Sequence, residues 1–503
     1  MFYNTSLPSH LRLLKDEIEG YARDYGLDFF DTIFEVVDSD DLNEIAAYGG
    51  FPTRYPHWSF GMAYQELQKS YEYGLSKIYE MVINTDPSYA YLMRCNHTVD
   101  QKLVMAHVYG HVDFFKNNAY FAGTNRKMMD EMANHGARIR GYAERFGESN
   151  VEEFLDICMS IDDLIDIHSL AIKRHSDPHH VQAQQFEDAP SGAVRFKSKD
   201  YMDEYINPPE QAREEARPNQ MKPELHFPDR PEKDVLMFLI NHAPLHAWQR
   251  DVLEIVRNEA YYFYPQAQTK IINEGWASYW HSRIMTEKAL HPSELLDYAD
   301  HHSGTMAMSG GRLNPYKLGI ELLRDIEERW NTGRFGEEYE NCENLEEKRA
   351  WNKNLGLGRK KIFEVRRIHN DITLLDAYMT PEFCAKHKLF GFKYDDHSRQ
   401  YVIDTRDFEA IKQKLLTSLT NFGKPWIYVV DGNFRNRSEL LLRHQHQGVD
   451  LNEQEAQDVL VNLNKLWGRP VHVETVYDDH KMLLTFDGSE HSQEIIGDID
   501  AEA

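Results

Sequence analysis

Apolar residues recur every three or four positions over much of the first 380 residues, the period of helices with one buried face. Residues 7–37 carry this pattern, turn at Gly26, and continue as DFFDTIFEVV, which the same spacing assigns to a second helical run. AYQELQKSYEYGLSKIYEMVI, residues 63–83, again has helical spacing and contains Glu66 and Glu72. NVEEFLDICMSIDDLIDIH predicts the clearest amphipathic helix within residues 128–173. GGFPTRYPHW, residues 49–58, breaks the period with Gly50, Pro52 and Pro56 and reads as a turn-rich aromatic segment.

Two stretches carry histidine and acid on one face, and the first is also apolar on more than one side. In AHVYGHVDFFKNN, Ala106 to Asn118, one stripe joins Leu103, His107, His111, Phe114 and Asn118, and another joins Val104, Val108 and Phe115. A helix apolar on both faces is buried. Gly110, in its middle, costs roughly 1 kcal/mol relative to alanine, which fits the close approach of another backbone or a ligand. The second stretch, NEGWASYWH, Asn273 to His281, lies in a segment from Asp234 that predicts two or three helices broken near Pro244 and Pro265. Residues 291–330 continue helically through a loop, SGGRLNPYKLG.

Elsewhere the pattern changes. From Arg174 to Lys233 the chain is polar and proline-bearing, a long excursion placed as a cover over the helical core. Beyond about Phe383, strand-like runs alternate with two helices in the order β-α-β-β-α-β, which predicts a ferredoxin-like unit with an extra edge strand. SEHSQEIIGDIDAEA reads as a frayed acidic tail. The resulting expectation is an α+β protein in three parts. A mainly helical domain spans 1–380 with the excursion 174–233, a small α/β domain spans 383–495, and a tail spans 496–503.

A chain of 503 residues is too long for one ordinary core, in keeping with that division. The net charge of -26, without any long Lys/Arg run, argues against a general nucleic-acid binder. Cys95, Cys158, Cys342 and Cys384 are scattered without a C-x-x-C pair, as expected of free thiols in a reducing compartment. The N-terminal residues do not read as a secretory leader, and no stretch approaches the ~18 apolar residues of a membrane span. A cytoplasmic location is the expectation.

His107 and His111 are four apart, so on a helix both imidazoles leave the same side and can clamp a divalent metal. Glu274 and His281 are seven apart on one face, with small Ala277 and Ser278 between them. Together the faces carrying His107, His111, Glu274 and His281 offer three or four N/O ligands, enough for an open metal site, zinc first, with iron or manganese as alternatives. Against this stands the commoner fate of a helical histidine pair, packing and hydrogen bonding in a core. Val108 also occupies the position at which H-E-x-x-H enzymes carry their general base. Glu259 is the carboxylate assigned to that role, and Tyr279 or His281 to stabilising oxyanion charge. Asp113, Asn117 and Asn118 either orient the imidazoles or cap the helix. Three weaker histidine groups are His97 in a loop, His175 with His179 and His180, and the pair His242 and His246 with Pro244 between them.

The stretches AYGGFPTRYPHWSFG, AHVYGHVDFFKNN, WQRDVLEIVRNEAYYFYPQAQTKIINEGWASYWH and LNPYKLG resemble the stage V sporulation protein R (SpoVR-like) family. That resemblance implies a cytoplasmic bacterial protein linked to spore cortex formation in spore formers. In other bacteria it is often encoded near a serine protein kinase of the PrkA type. A second similarity is to zinc peptidase-like families, in which a histidine-pair helix is followed by an E-G-W-A-x-Y helix supplying a glutamate ligand. Glu274 to Tyr279 match that motif, which implies a zincin-like arrangement of the pair. A metal-dependent hydrolase and a non-catalytic regulatory protein acting with the kinase both fit. The first requires the His107, His111 and Glu274 donor atoms to lie within about 5 Å of one another even without metal, because packed helices cannot swing far.

Overall fold

The computed structural model describes residues 7–72, 80–169, 227–307, 313–395 and 399–498. His175, His179, His180, Gly310, Gly311 and most of the excursion 174–233 lie outside the described residues. The protein is of mixed α+β class and forms two compact units, each built from two stretches of chain. Met1–Asp163 joins Leu245–Pro425, and Leu164–Pro244 joins Trp426–Ala503.

The first unit opens with α1, Ser9–Asp24, but TIFEVV then forms a strand, β1 (Thr32–Val37), where a helix was expected. Four of its six residues are β-branched, and such side chains fit a pleated surface better than a helix. EMVI, at the end of the run expected to be helical, is likewise a strand, β2 (Glu80–Ile83); the preceding helix runs from Trp58 to Glu72. With β3 (Ser88–Met93) they form a sheet of order β1-β3-β2. β1 pairs parallel to β3, Thr32 opposite Ser88, and β2 pairs antiparallel to it, Glu80 opposite Leu92. β2 is therefore an edge strand.

The helices that matter for the site follow. They are α2 (Thr98–Asn117), α3 (Met128–Phe146), α4 (Ala247–Gln268), α5 (Lys270–Ile284), α6 (Leu295–Thr305), α7 (Pro315–Thr332), α8 (Gly358–Ile368) and α9 (Asp371–Tyr378). α2 is buried continuously from Val104 to Phe115, as its two apolar stripes require. Pro265 does not end α4; it sits in the last turn, and the break comes at Thr269. LNPYKLG, expected within a loop, starts α7: Asn314 is the N-cap, its side chain accepting from the Lys317 N–H at 3.2 Å, and Pro315 takes the first helical position.

α5 is packed between α2 and α7 so tightly that backbones touch. A Cβ on Gly110 would lie 2.7 Å from Ala277 Cα, and one on Gly275 would lie 2.4 Å from the Gly319 carbonyl carbon. These glycines set the spacing of the three helices.

In the first unit β4 (Gly391–Asp395) and β5 (Gln400–Thr405) form their own two-stranded sheet. The second unit holds a five-stranded sheet whose spatial order follows the sequence: β6 (Ile427–Phe434), β7 (Glu439–His444), β8 (Val471–Tyr477), β9 (His480–Phe486) and β10 (His491–Asp498). Only β7 and β8 are parallel neighbours, joined through α10 (Glu453–Trp467). The expected ferredoxin-like order is not formed, because the early hairpin pairs with itself and strands consecutive in sequence stay neighbours. β10 also replaces much of the expected tail. Its residues are exposed on both faces, so no apolar alternation marks it in the sequence. The helix Val235–His242 belongs to this unit, with Phe238 stacked on Trp467 at 5.7 Å between ring centres.

Candidate metal centre

α2 carries His107 and His111 one turn apart, their ring centres separated by 4.5 Å. α5 brings Glu274 against them: its Oε2 lies 3.4 Å from His107 Nε2 and 3.4 Å from His111 Nε2. A fourth group comes from β2, where Glu80 Oε1 lies 3.2 Å from His107 Nε2. One ligand atom from each of the four residues falls within 4.8 Å of all the others. These separations suit a divalent ion, since bonds of ~2.1 Å in a tetrahedron place donors roughly 3.4 Å apart. Two neutral imidazoles and two carboxylates also balance its charge. The side chains of His107, His111 and Glu274 are 2%, 6% and 9% exposed, against 20% for Glu80, so Glu80 is the member that reaches solvent.

The outer groups fix the inner ones. His111 Nδ1 donates to Asn273 Oδ1 at 2.9 Å, which fixes the ring with Nε2 toward Glu274. His107 Nδ1 meets His281 Nδ1 at 2.8 Å, and His281 Nε2 meets His302 Nδ1 at 3.1 Å. Lys270 Nζ lies 2.8 Å from Glu274 Oε1, and the Tyr316 ring centre lies 6.2 Å from that of His107. Burial pushes the Glu274 carboxyl up, but hydrogen bonds from His107 and His111 and the charges of His111 and Lys270 outweigh it and hold the group well below the usual carboxylate range. Burial works to lower His111, and Glu274 and Glu80 overcome it, raising the imidazole. His281 is held well below the usual histidine value by burial and then by the neighbouring His107 and His302. Tyr316 is raised by burial and by the charges of Glu274 and Glu80, so its hydroxyl keeps its proton.

The structure thus brings together His107, His111, Glu274 and His281 from the residues singled out in the sequence. Glu259 is placed elsewhere. Its carboxylate is shared by Arg54, Tyr55 at 3.1 Å and His135 Nδ1 at 3.0 Å, a buried cluster joining α4 to α3 and the aromatic segment. Burial would raise it, but the Arg54 charge and the His135 bond keep it lowered. Tyr279 faces away because five residues from Glu274 turn a helix by about 140° beyond a full revolution. Its hydroxyl donates to Glu327 at 2.6 Å, with Arg283 alongside. Asp113 accepts from Trp276 Nε1 and the Asp28 N–H, each at 2.8 Å, and Asn118 donates to the carbonyls of Arg366 and His369. These groups tie helix ends together and do not orient the imidazoles. His97 is the exposed N-cap residue of α2, and His246 that of α4; Pro244 separates His242 and His246 onto different elements.

Glu80, Tyr316, Lys270 and His302 escaped the sequence reading. Glu80 was hidden in a run taken as helical, although the Met-Val-Ile that follows it is a strand signal. Tyr316 sat in a motif read as a loop, although Asn-Pro before it marks a helix start.

Fold and site together define a mixed α+β protein whose buried helical core holds a His/Glu cluster able to accept a divalent metal. The chain belongs to the SpoVR family: it matches "SpoVR like protein" over residues 6–424 and "SpoVR-like C-terminal domain" over residues 425–478. It is 28% identical over 501 residues to "Uncharacterized protein YcgB" of Escherichia coli (strain K12), covering 93% of this chain and 92% of that protein. No solved structure matches it. No helix among the described residues is long and apolar enough to cross a membrane.

Proposed function

We propose that this SpoVR-family protein is a metal-dependent hydrolase, with His107, His111 and Glu274 as the metal ligands. One observation carries the reading: donor atoms of four residues from three separate elements converge within 4.8 Å, and His107, His111 and Glu274 among them are each held by a further polar contact of their own. Zinc suits the donor set best, with iron or manganese as alternatives. Bound there, the metal would polarise a carbonyl and lower the pKa of water toward ~7. Tyr316, its ring centre 6.2 Å from that of His107, takes the role of donating to developing oxyanion charge that the sequence assigns to Tyr279 or His281. A peptide, amide or cell-wall precursor bond is the substrate class, which accords with the family's link to the spore cortex, and the zincin-like arrangement and cytoplasmic location belong to the same reading. Metal analysis of the purified full chain tests it. We expect one zinc, iron or manganese per chain, lost on His107→Ala; a chain that binds none of them overturns the proposal.

A second reading is favoured by one observation, that Val108 is fully buried and offers no base beside His107. On that reading the protein is a regulator that docks a PrkA-type serine kinase, and the kinase should co-purify with the full chain from cells. Recovery of a metal-loaded chain without it counts against this alternative.

A further inference from the structure

The geometry points to Glu80 as the general base of this site, taking from an edge strand the role that Val108 cannot play. The inference rests on the hydrolase reading and gives the fourth acidic group of the cluster a different task from Glu274. Glu274 is pinned on both oxygens: Oε2 lies against both imidazoles and Oε1 against Lys270. Such a carboxylate is a ligand, with little freedom to take up and release a proton. Glu80 stands differently. Among the described residues its carboxylate meets one side-chain nitrogen, His107 Nε2 at 3.2 Å. It is also the most exposed of the four, on a strand at the sheet edge, so water reaches the cluster beside it. A general base must sit within about 2.6–3.2 Å of the proton it takes, and Glu80, beside the two imidazoles and not tied by a second partner of its own, is the carboxylate of the four that can meet that need.

The step balances simply. A water proton passes to a Glu80 oxygen as the water oxygen bonds to the carbonyl carbon, and the carbonyl π pair moves onto its oxygen. When that pair returns, the C–N bond breaks and the proton on Glu80 passes to the departing nitrogen. Glu80 ends as it began.

The test uses the full-length chain loaded with Co(II), whose visible absorption reports both metal occupancy and coordination. Acetohydroxamic acid is the probe, because it enters an open metal position only by giving a proton to a neighbouring base. Glu80→Gln should keep one Co(II) per chain, with affinity within about threefold of the parent, and should weaken hydroxamate binding about tenfold to hundredfold, the scale of losing a bond to a charged group. Glu80→Asp keeps a proton acceptor and should retain most of the binding; Glu274→Gln should lose the metal itself. Three results overturn the inference: Glu80→Gln losing Co(II) as Glu274→Gln does, hydroxamate binding Glu80→Gln as well as the parent, or a metal-loaded parent that refuses hydroxamate. A parent chain that takes up no Co(II) sinks the metal site itself and is thereby distinguished from failure of the Glu80 assignment.

Discussion

Gly319 and Gly275 face one another where α7 crosses α5, and a Cβ on Gly319 would lie 2.1 Å from the Ile271 carbonyl oxygen. Both obstacles are backbone, so neither can rotate aside. Gly319→Ala should therefore destabilise the protein by about 1–3 kcal/mol despite alanine's better helix propensity, seen as a lower urea midpoint. Gly20, within α1, has nothing within 4 Å of its would-be Cβ, and Gly20→Ala should stabilise by up to about 1 kcal/mol in the same measurement. His281→Ala removes the bond that orients His107 Nδ1. It should weaken metal binding about tenfold to hundredfold without abolishing it, measured by competition with a chelator. At this scale the sequence was informative wherever spacing along one helix defines a face: His107 with His111, and Glu274 with His281. It could not reveal Glu80 or His302, whose positions depend on the packing of other elements. Glu259 shows the converse, since nothing in its local sequence announces that Arg54 and His135 will claim it.

Each helix of the site is held by a partner distant in sequence. Asp371, the first residue of α9, caps α5 from outside, its two oxygens accepting from the Ile271 and Ile272 N–H groups at 2.8 Å each. Asp371→Ala should cost about 0.5–2 kcal/mol, whereas Asp371→Asn keeps an acceptor and should cost less. Burial raises the Asp371 carboxyl to about 7, with the two N–H groups and Lys270 opposing. A carboxyl raised on folding contributes stability that is complete below its unfolded value near 3.8 and is lost as pH rises through about 7. Stability measured by denaturant between pH 4 and 7 should thus fall less steeply with rising pH in Asp371→Asn than in the parent; equal slopes would remove this account. Helices with a strong period were legible in the sequence. β1 and β2 were not, because short apolar runs fit both periods and only their pairing with β3 decides.

The two units are interleaved along the chain, so a cut between them in sequence does not separate them in structure. Stopping the chain at Pro425 removes all five strands of the large sheet but leaves the helix Val235–His242 behind. Phe238 would then lose Trp467 and the strand at Gly432, on a helix whose Val235, Leu236 and Leu239 are also buried. Chains ending at 425 should aggregate, and replacing residues 164–244 with a short linker should restore solubility, as judged by size-exclusion chromatography. The change of pattern near Phe383 marks where hairpin β4-β5 begins, while the compact units part at Pro425. Periodicity reports what kind of element a segment forms, and a hairpin within a helical unit shifts it without starting a new unit.

The wide separation of the cluster's members along the chain gives the site a history during synthesis. His107 is made 167 residues before Glu274. At about 5–20 residues per second, the ribosome takes roughly ten to thirty seconds to cross that gap. Throughout that interval the growing chain carries Glu80 and two histidines one helical turn apart, the part of the proposed site that is made first, with donors suited to a borderline divalent ion. The pocket that would select among metals is completed only when α5 slides between its two neighbours. On the proposed metal reading the ligand set closes only at that point, so the supply of metals while α5 is still being made bears on the finished protein alongside affinity at equilibrium.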